Sequence, residues 1–493
     1  MLADHFLAID IGASSGRAIL GSLHENTLKL KEVHRFDNQM LFENGHYHWD
    51  VEALFEEIKK GLRLCVEQIG IKPRCLGIDT WGVDFGFLNH PGTLAGRPFA
   101  YRDHISDNAM DEVFSKIPKE ELYQKTGIQF MQFNSLFQLW GLKKHFPDQL
   151  LSVDKMLFMP DLLSYLLTGI KYSEYTIAST SQMLNPETGR WNISLLQSLG
   201  LPTHILEEIV EPGTVIGHIL PEIQADLGVG PIQVAAVAAH DTASAIASIP
   251  AKGDDWAYIS SGTWSLMGIE LPEPCITDAS FKASFTNEGG IEGTTRFLKN
   301  ITGLWLLQEC KKIWDLEKVY SYADLTSLST QSRGFLCLID PDDPSFLNPE
   351  NMIDAIQKYC KKTDQHIPET IPDITRCIFE SLALKYRHTL NQLISASGKT
   401  INRIHLIGGG SRNKVLSQFT ANATGLEIIA GPAEGTALGN ILLQAKAVGI
   451  LADRHSMRRI VMNSVETQTY HPKNKKIWDV QFDRFHQIIG LDK

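Results

Sequence analysis

The spacing of apolar residues changes most abruptly near the middle of the chain, within residues 234–248. The unbroken apolar run at 234–239 predicts a short buried strand. Small residues at 243–248 predict a closely packed helix, and His240, Asp241 and Thr242 lie between the two segments. The pattern therefore predicts a strand, a polar turn and a helix, with an acidic residue where the helix begins.

The acidic residue of this turn has two interpretations. An aspartate at the start of a helix commonly caps it, because its side chain accepts a hydrogen bond from a backbone N–H two or three residues later. Alternatively, the turn lies at the carboxyl end of a strand, where open α/β sheets bind ligands, and Asp241 is a general base. The position of Asp241 alone does not decide between them.

Two segments of the chain begin alike. Near the N-terminus, a predicted strand at 6–11 is followed by a glycine- and hydroxyl-containing loop at 12–17 and a second strand at 18–20. After a polar linker at 251–255, a strand at 256–259, a loop at 260–265 and a strand at 266–269 repeat this order. The repetition indicates duplication of one α/β unit with a cleft between the copies. We expect two domains, 1–250 and 251–493.

Residues that commonly start or end helices predict further elements. Asp50 is expected to cap an amphipathic helix. A strand at 76–79, which ends in an acid, is followed by TWGVD at 80–84, which places two acids, an indole and a glycine at the end of this strand. A long helix is expected to end at Gly398. Three glycines at 408–410 then separate a strand at 404–407 from a helix at 414–423, and a strand at 427–429 precedes a helix at 436–448. Since one or two glycines suffice for a turn, the triple glycine favours a close backbone approach by a nucleotide.

Two groups of side chains near the first half of the chain have structural alternatives. Trp81 either stacks on a sugar or is a partly buried structural residue. His46 and His48 would share one face of a strand, but no third or fourth metal ligand follows at a recognisable spacing. We therefore expect no metal site at this histidine pair.

Length, charge and cysteine content limit the class of protein. A chain of 493 residues is too long for one compact core, and its net charge of −11 gives no reason to expect nucleic acid or anionic lipid as a partner. No run approaches the ~20 apolar residues of a membrane span, and Asp4 and Asp10 interrupt the apolar N-terminal stretch, which is therefore no secretory signal. Seven scattered cysteines without CxxC indicate reduced thiols and a cytoplasmic location, although Cys360 and Cys377 could still pair.

Together, the loops and the acids at strand ends favour phosphoryl transfer from a nucleotide bound between two domains. Neither GxxxxGK[ST] nor GxGxxG occurs at a strand-to-helix junction, and no GxSxG elbow is present. P-loop enzymes, dinucleotide-binding domains and serine hydrolases therefore lose their main sequence support.

Five segments carry a resemblance to a known family. DIGASSGR at 10–17, IDTWGVDF at 78–85, HDTASA at 240–245, SSGTWSLM at 260–267 and GGGSRN at 408–413 resemble, in this order, segments of the FGGY family of carbohydrate kinases. The resemblance covers nearly the whole chain. It implies an α/β fold of two ribonuclease-H-like domains of the actin and hexokinase type, with sugar and MgATP in an interdomain cleft. The N-terminal domain would bind the sugar and the C-terminal domain the nucleotide.

The resemblance also implies roles for individual residues. Asp241 would be the general base that accepts the proton of the attacking sugar hydroxyl, and Asp10 would hold the magnesium ion. Arg17 would serve the transferring phosphoryl group, unless it only pairs with a surface acid. Besides Asp241, the sugar would contact Gly82, His240, Thr242 and Asn300. The nucleotide would contact Ala13, Ser14, Ser15, Gly16, Arg17, Thr263, Gln308, Gly410 and Asn413.

A second group of segments narrows the resemblance. The loop ASSGR, DTWGVDF, MPDLLSYLLTG at 159–169, NEGG at 287–290 and GLWLLQ at 303–308 are similar to family members that phosphorylate L-rhamnulose at its 1-hydroxyl in L-rhamnose catabolism. The expected partners are therefore L-rhamnulose and MgATP. A kinase of another ketose, such as L-fuculose or L-xylulose, and a non-catalytic nucleotide switch of the actin and Hsp70 type are the alternatives. The chain is expected to be a monomer or a small homo-oligomer.

Overall fold

The computed structural model describes residues 3–490, which divide into two compact units. Within this range the first unit comprises 3–250, 270–297 and 435–465, and the second comprises 251–269, 298–434 and 466–490. The chain first changes unit directly after Pro250, where the polar linker begins, but two later segments return to the first unit. None of the helices within 3–490 has the length and apolar character needed to cross a membrane.

The secondary structure alternates strands and helices along most of the chain. The strands are β1 (Asp4–Ile11), β2 (Ser15–His24), β3 (Thr27–Asp37), β4 (Met40–Glu43), β5 (His46–Trp49), β6 (Cys75–Thr80), β7 (Phe85–Asn89), β8 (Thr93–Leu94), β9 (Lys155–Phe158), β10 (Ser173–Glu174), β11 (Leu184–Asn185), β12 (Arg190–Trp191), β13 (Ile209–Val210), β14 (Thr214–His218), β15 (Gln233–Ala236), β16 (Trp256–Ser261), β17 (Trp264–Leu271), β18 (Thr286–Gly289), β19 (Thr295–Thr302), β20 (Arg403–Ile407), β21 (Glu427–Ala430) and β22 (Gln468–Tyr470).

The α-helices are α1 (Val51–Glu67), α2 (Ala109–Phe114), α3 (Lys119–Thr126), α4 (Ser135–His145), α5 (Pro147–Ser152), α6 (Met159–Thr168), α7 (Tyr175–Ser179), α8 (Ile193–Ser198), α9 (Pro221–Leu227), α10 (Asp241–Ala247), α11 (Asp278–Lys282), α12 (Trp305–Trp314), α13 (Tyr322–Ser329), α14 (Met352–Lys362), α15 (Ile371–Ser397), α16 (Lys414–Thr424), α17 (Gly435–Ala447), α18 (Arg454–Ser464) and α19 (Lys475–Ile488). Short 3₁₀ helices lie at His104–Ser106, Pro344–Phe346 and Gly409–Arg412.

The first unit is built on a six-stranded sheet with the order β14-β15-β6-β1-β2-β3. Strands β1, β2 and β3 form an antiparallel meander, whereas β6 is parallel to both β1 and β15. The residues of β1 and β6 are almost all buried, as expected for parallel strands in the middle of a sheet. Because parallel strands end at the same edge, the residues that follow β1, β6 and β15 are brought close together.

A second sheet repeats this arrangement. Its seven strands have the order β18-β19-β17-β16-β20-β21-β22. Strand β16 is antiparallel to β17 and parallel to β20, and β20 is parallel to β21. The five-strand order β19-β17-β16-β20-β21 matches β3-β2-β1-β6-β15 of the first sheet, and this match confirms the predicted duplication of an α/β unit.

The structure confirms most predicted element boundaries and corrects two loops. The loop predicted at 260–265 comprises only residues 262–263, because β16 ends at Ser261 and β17 begins at Trp264. The Asp50 side chain caps α1 by accepting from the Ala53 N–H, and Gly398 ends α15 in a left-handed conformation with φ of 65°. Strand β2 begins at Ser15 rather than at 18, because Gly16 and Arg17 pair with the end of β1. The first glycine- and serine-containing loop is therefore shorter than predicted.

Helix α17, which belongs to the returning segment 435–465, packs closely against α10, the helix that begins with Asp241. A Cβ atom at Gly439 would lie only 1.8 Å from the Ser244 carbonyl oxygen of α10. This is far inside van der Waals contact, and the obstacle is backbone rather than a movable side chain. The position of α10 therefore depends on the absence of a side chain at 439.

We expect Gly439→Ala to lower the free energy of unfolding by about 1–3 kcal/mol or more, since the new methyl group must displace the α10 backbone. Urea denaturation followed by circular dichroism measures this. Gly409→Ala is the matched control, because no atom lies within 4 Å of a Cβ built there. A comparable loss of stability in both variants would contradict the packing argument.

Candidate active site

Acidic residues collect at the carboxyl edge of the first sheet. In the parallel pairing of β1 with β6, Asp10 lies opposite Asp79, and Thr80 forms a bridge with His240, which precedes Asp241. Burial raises the pKa of Asp79 well above its ordinary value, and the nearby carboxylates of Asp10 and Asp241 raise it further. A hydrogen bond from the Asn440 amide to Asp79 acts in the opposite direction. The sheet topology thus brings three acids from distant parts of the sequence into electrostatic contact.

Arg17 pairs with Asp10. The antiparallel register of β1 and β2 places the two residues opposite each other, and the guanidinium Nη2 lies 2.5 Å from Asp10 Oδ2. Asp10 is a buried acid, so this ion pair joins two of the predicted site residues below the protein surface.

The remaining residues of this first loop form a tight turn. The Gly12 N–H donates to the Ser15 carbonyl at 2.9 Å, and the Asn38 N–H donates to the Ser14 carbonyl at 3.1 Å. A Cβ at Gly16 would lie 2.2 Å from the Phe36 ring, so packing alone requires that glycine. The exposed member of the turn is Ser14, with Ala13 beside it.

Asp241 does not cap the helix that it begins. The residue before α10, His240, occupies the capping position, and no side chain caps the helix there. The Thr242 hydroxyl donates a hydrogen bond to the Asp241 Oδ1 atom at 3.1 Å. The same Oδ1 atom lies 3.5 Å from His240 Nε2. Its side chain is 31% exposed, and Oδ2 has no hydrogen-bond partner among residues 3–490. The capping interpretation is therefore wrong, and the carboxylate stays partly exposed.

The backbone of the turn is fixed from below by a segment more than 60 residues earlier in the sequence. The Glu174 carboxylate accepts from the Ala239 N–H (3.1 Å), and the Thr176 hydroxyl accepts from the His240 N–H (3.2 Å). Thr176 in turn donates to Glu174 at 2.7 Å. The turn that presents Asp241 is thus held by a buried acid at the start of α7.

Gly82 borders the His240 ring, and Val83 follows it with an unusual backbone conformation. A Cβ at Gly82 would lie 3.4 Å from His240 Nε2 and 3.5 Å from the Thr180 hydroxyl oxygen, so Gly82 lies between these two side chains. Val83 has a left-handed φ of 70°, which is strained for a β-branched residue. Its N–H donates to Thr180 (3.2 Å), and its carbonyl accepts from the Ser135 hydroxyl (2.5 Å). These bonds hold a backbone conformation that valine disfavours.

Trp81 is a structural residue and does not stack on a sugar. Its indole N–H donates to Asp84 at 2.9 Å, and its ring packs on Trp49, whose N–H also donates to Asp84 at 2.6 Å. Gln138 and the Tyr101 backbone N–H complete the coordination of this carboxylate. Burial raises the pKa of Asp84 to about 6, although all four donors lower it. Since Trp81 is only 6% exposed, its ring offers no face to a sugar.

Residues 3–490 contain two clusters of side chains of the types that can ligate a metal ion, one of which includes His46. His46 lies 2.9 Å from Asp103 and stacks on His104, whereas His48 bonds to the Arg97 carbonyl. Both Asp103 oxygens already accept backbone N–H bonds, from Tyr47 and Ile105. In the second unit, Cys337, Cys360 and Cys377 are buried thiols whose sulfur atoms lie within 4.8 Å of one another.

The second unit carries the other predicted nucleotide residues. The Thr263 hydroxyl donates to Gln308 at 3.1 Å, and the N–H of Leu304 donates to the Gly262 carbonyl at 3.0 Å, so the start of α12 is fixed to the β16–β17 turn. Asn413 caps α16 by accepting from the Leu416 N–H. Thr263 and Gln308 are therefore direct neighbours.

Close packing explains two of the three glycines at 408–410. A Cβ at Gly410 would lie 2.1 Å from the Ser261 hydroxyl oxygen, and one at Gly408, whose φ is 80°, would lie 2.9 Å from the Ser261 carbonyl. Close packing on β16 accounts for both residues. A Cβ at Gly409 would meet no atom within 4 Å, so this glycine alone leaves open space over its backbone.

The structure thus distributes the predicted residues between the two units. The sugar residues Gly82, His240, Asp241 and Thr242 are neighbours in the first unit, together with Asp10 and the loop at 13–17, whereas Asn300, Thr263, Gln308, Gly410 and Asn413 belong to the second. Sequence reasoning missed Glu174, Asn440 and Arg296, because each contributes through one long-range contact. Asp79 and Glu288 lie inside the quoted segments IDTWGVDF and NEGG, and only their acidic character marked them.

Glu174 and Asp161 form a buried acidic pair beneath the turn. Asp161 accepts from the Glu174 backbone N–H at 3.1 Å, and one oxygen of each carboxyl is buried without a hydrogen-bond partner among residues 3–490. Burial raises the pKa of Glu174 to about 7 and that of Asp161 well above its ordinary range, and Glu174 adds to the rise at Asp161.

These pKa values determine how stability depends on pH. A carboxyl whose pKa is raised by folding binds its proton more tightly in the folded state. The contribution of Glu174 is therefore full below about pH 4.5 and is lost as the pH rises through about 7.

We expect Glu174→Gln to remove this loss. The decrease in the free energy of unfolding from pH 5 to pH 8 should then be smaller in the variant than in the wild type, by about 2–3 kcal/mol. Urea titrations at both pH values test this. Glu222→Gln, at an exposed position in the first turn of α9, is the control and should leave the pH dependence unchanged. An unaltered pH dependence in Glu174→Gln would show that the carboxyl is ionised throughout.

Comparison with family models matches both halves of the chain. Residues 5–247 match the N-terminal domain of the FGGY family of carbohydrate kinases, and residues 257–448 match the C-terminal domain. Among curated proteins, the chain is 47% identical to a rhamnulokinase of Bacteroides thetaiotaomicron over 99% of this chain and 100% of the relative. It is 42% identical to a rhamnulokinase of Oceanobacillus iheyensis over 94% of this chain and 97% of the relative.

Solved structures of low sequence identity share the fold. A gluconate kinase from Lactobacillus acidophilus superposes with a TM-score of 0.81 at 16% identity, covering 99% of this chain and 97% of that one. A glycerol kinase from Plasmodium falciparum, solved with ADP, superposes with a TM-score of 0.79 at 15% identity, covering 99% and 98%. With both family models matched in order and relatives identical at more than two fifths of their positions over nearly the full length, this chain belongs to the FGGY family of carbohydrate kinases.

Proposed function

We propose that this protein transfers the γ-phosphoryl group of ATP to the 1-hydroxyl of L-rhamnulose, giving L-rhamnulose 1-phosphate and ADP in L-rhamnose catabolism. The observation that carries the proposal is the 47% identity, over 99% of this chain, to a relative named rhamnulokinase. The cytoplasm is the proposed location, because the scattered cysteines without CxxC suit a reducing compartment.

Asp241 is the proposed general base. Thr242 donates to Oδ1 and so orients the carboxylate, while Oδ2 has no hydrogen-bond partner among residues 3–490 and can accept the proton of the sugar hydroxyl. As that proton leaves, the sugar oxygen attacks the γ-phosphorus and ADP departs. In such transfers most of the acceleration comes from positioning and from electrostatic stabilisation.

The sugar is proposed to bind beside this carboxylate. Gly82 lies next to the His240 ring, whose Nε2 atom lies 3.5 Å from Asp241 Oδ1 in the first unit. Thr242 and Asn300 add hydrogen-bonding groups, which are the groups that distinguish one pattern of hydroxyls from another.

Asp10 is the proposed residue for magnesium. The edge of the sheet offers carboxylate oxygens from Asp10 and Asp79, which are the hard ligands that Mg²⁺ prefers, and Asp79 Oδ1 is buried without a hydrogen-bond partner among residues 3–490. The donor set therefore fits this ion, which would neutralise charge on the phosphate oxygens. Arg17, already beside Asp10, carries a forked cationic group suited to phosphate.

The nucleotide is proposed to contact both the first loop and the second unit. Ser14 is exposed at the turn that contains Ala13, and Ser15, Gly16 and Arg17 follow in β2. In the second unit the proposed contacts are Thr263, Gln308, Gly410 and Asn413, with the open backbone at Gly409 next to them. The N-terminal domain would thus supply the base and the sugar contacts, and the C-terminal domain most nucleotide contacts.

A panel of ketoses with MgATP and coupled ADP detection tests the proposed function. We expect kcat/KM for L-rhamnulose to exceed that for L-fuculose and L-xylulose by at least about 10-fold, since hydroxyl-recognising sites discriminate strongly. Equal values for L-fuculose would contradict the assignment to rhamnulose. The absence of sugar-dependent ADP release with every ketose would support a non-catalytic nucleotide switch instead.

Asp241→Asn tests the base. We expect kcat to fall by about 10²–10⁴-fold, because the amide cannot accept the hydroxyl proton, while KM for the sugar and the affinity for ATP change little. Asp278→Asn is the matched control, since Asp278 is also the first residue of a short helix in the first unit. Near wild-type turnover in Asp241→Asn would remove this residue from the chemistry.

A further inference from the structure

The His240 ring contacts two buried charged residues that no part of the proposed mechanism uses. Arg296 and Glu288 follow one another closely in the sequence, on strands β19 and β18, and their side chains are only 1% and 7% exposed. The Arg296 Nη2 atom lies 3.2 Å from His240 Nδ1 and 3.0 Å from Glu288 Oε2. All three residues belong to the first unit.

The arginine determines which ring nitrogen carries the proton. A guanidinium group has only donors, so in the Arg296–His240 hydrogen bond the Nδ1 atom must be the acceptor. A neutral ring that accepts at Nδ1 carries its proton at Nε2. The Nε2 atom is the one that lies 3.5 Å from Asp241 Oδ1 and 3.4 Å from the position of a Cβ at Gly82. His240 therefore directs an N–H group toward the proposed sugar site.

Arg296 is itself held firmly in place. Its Nε atom donates to the Gly289 carbonyl at 2.7 Å, and Glu288 neutralises its charge. Glu288 Oε2 also lies 3.3 Å from His240 Nδ1, where it would accept a proton if the guanidinium were absent. Glu288 alone would thus favour the opposite tautomer, with an acceptor at Nε2, and Arg296 prevents this.

The direction of this hydrogen bond matters for the chemistry. A sugar hydroxyl that gives its proton to Asp241 needs no further acceptor beside it, whereas a lone pair at His240 Nε2 would compete for protons with the base. An N–H at the same place donates instead to an oxygen next to the attacking hydroxyl, either a carbonyl or a second hydroxyl. A carbonyl oxygen can only accept, so a fixed donor selects for it.

We infer that Arg296 and Glu288 are positioning residues that hold His240 in its Nε2–H tautomer, so that the ring donates a hydrogen bond to a ketose oxygen adjacent to the attacking hydroxyl. The identity of the ligand as a ketose rests on the proposed function. The tautomer itself does not depend on it. The charged groups that face the ring are Asp241, Glu288 and Arg296.

The test compares the wild type with the double variant Arg296→Met/Glu288→Gln, which removes the arginine without leaving a lone buried charge. Nitrogen-15 NMR of histidine-labelled protein distinguishes protonated from unprotonated ring nitrogens, and a His240→Asn variant identifies the resonances of this ring among the 17 histidines. Steady-state kinetics with the best ketose of the panel supply the second measurement. The control is Arg458→Met/Glu270→Gln, which removes another buried ion pair of the first unit.

We expect the wild-type spectrum near pH 7.5, without ligand, to show His240 protonated at Nε2 and unprotonated at Nδ1. In the double variant this preference should disappear, and KM for the ketose should rise by about 10- to 100-fold with a smaller change in kcat and unchanged affinity for ATP. The control should retain both the tautomer and KM.

A wild-type ring protonated at Nδ1 would overturn the inference, and so would a double variant with an unchanged KM. If no ketose is turned over by the wild type, the proposed function fails, but the spectrum still decides whether Arg296 sets the tautomer. Loss of folding in the double variant leaves the wild-type spectrum as the deciding result.

Discussion

The burial of several carboxyl groups at one edge of the six-stranded sheet is the constraint on which the rest of the first unit depends. A buried carboxylate is costly unless it receives hydrogen bonds or a neighbouring positive charge. Each of these acids is compensated by a different type of donor. Asp10 pairs with a guanidinium, Asp79 accepts from an amide, Asp84 accepts from indole and amide groups, and Glu174 accepts from backbone N–H groups. Asp241 differs, because its compensation comes from one hydroxyl and from partial exposure to water. Under the proposed function, this partly exposed carboxylate is the one that exchanges a proton with the ligand.

This constraint also explains why the first unit is discontinuous in sequence. Strand β6 has a glycine at 77, where a Cβ would clash with Val237 and Asn440, so α17 can lie directly over the strand. The same helix supplies the Asn440 amide to Asp79 and carries Gly439 against α10. The segment 435–465 therefore returns to the first unit because the buried acid and the close helix packing both need it. Contacts of this kind join residues more than 350 positions apart.

Local chemistry made part of this fold predictable. The cap at Asp50, the left-handed end at Gly398 and the repeated strand-loop-strand order are encoded in a few neighbouring residues, and the structure agrees with each. The triple glycine shows the limit of prediction from local sequence. A sequence shows where side chains are missing, but it does not show which atoms occupy the space beside each glycine. Ser261 fills it at Gly408 and Gly410, and it lies nearly 150 residues earlier. The anchors Glu174 and Arg296 were unpredictable for the same reason, since their partners are set by sheet register and not by spacing along the chain.

The start of α10 illustrates how a site and its stability are related. An aspartate that caps a helix contributes about 1 kcal/mol, and moving Asp241 one position back would place it there. Instead the capping position holds His240, which makes no side-chain cap, and Asp241 occupies the first helical turn. A negative charge in that turn is still stabilised by the helix dipole. Under the proposed function the missing cap has a reason: a capping carboxylate would spend its lone pairs on the backbone, whereas a base must keep one directed at the sugar.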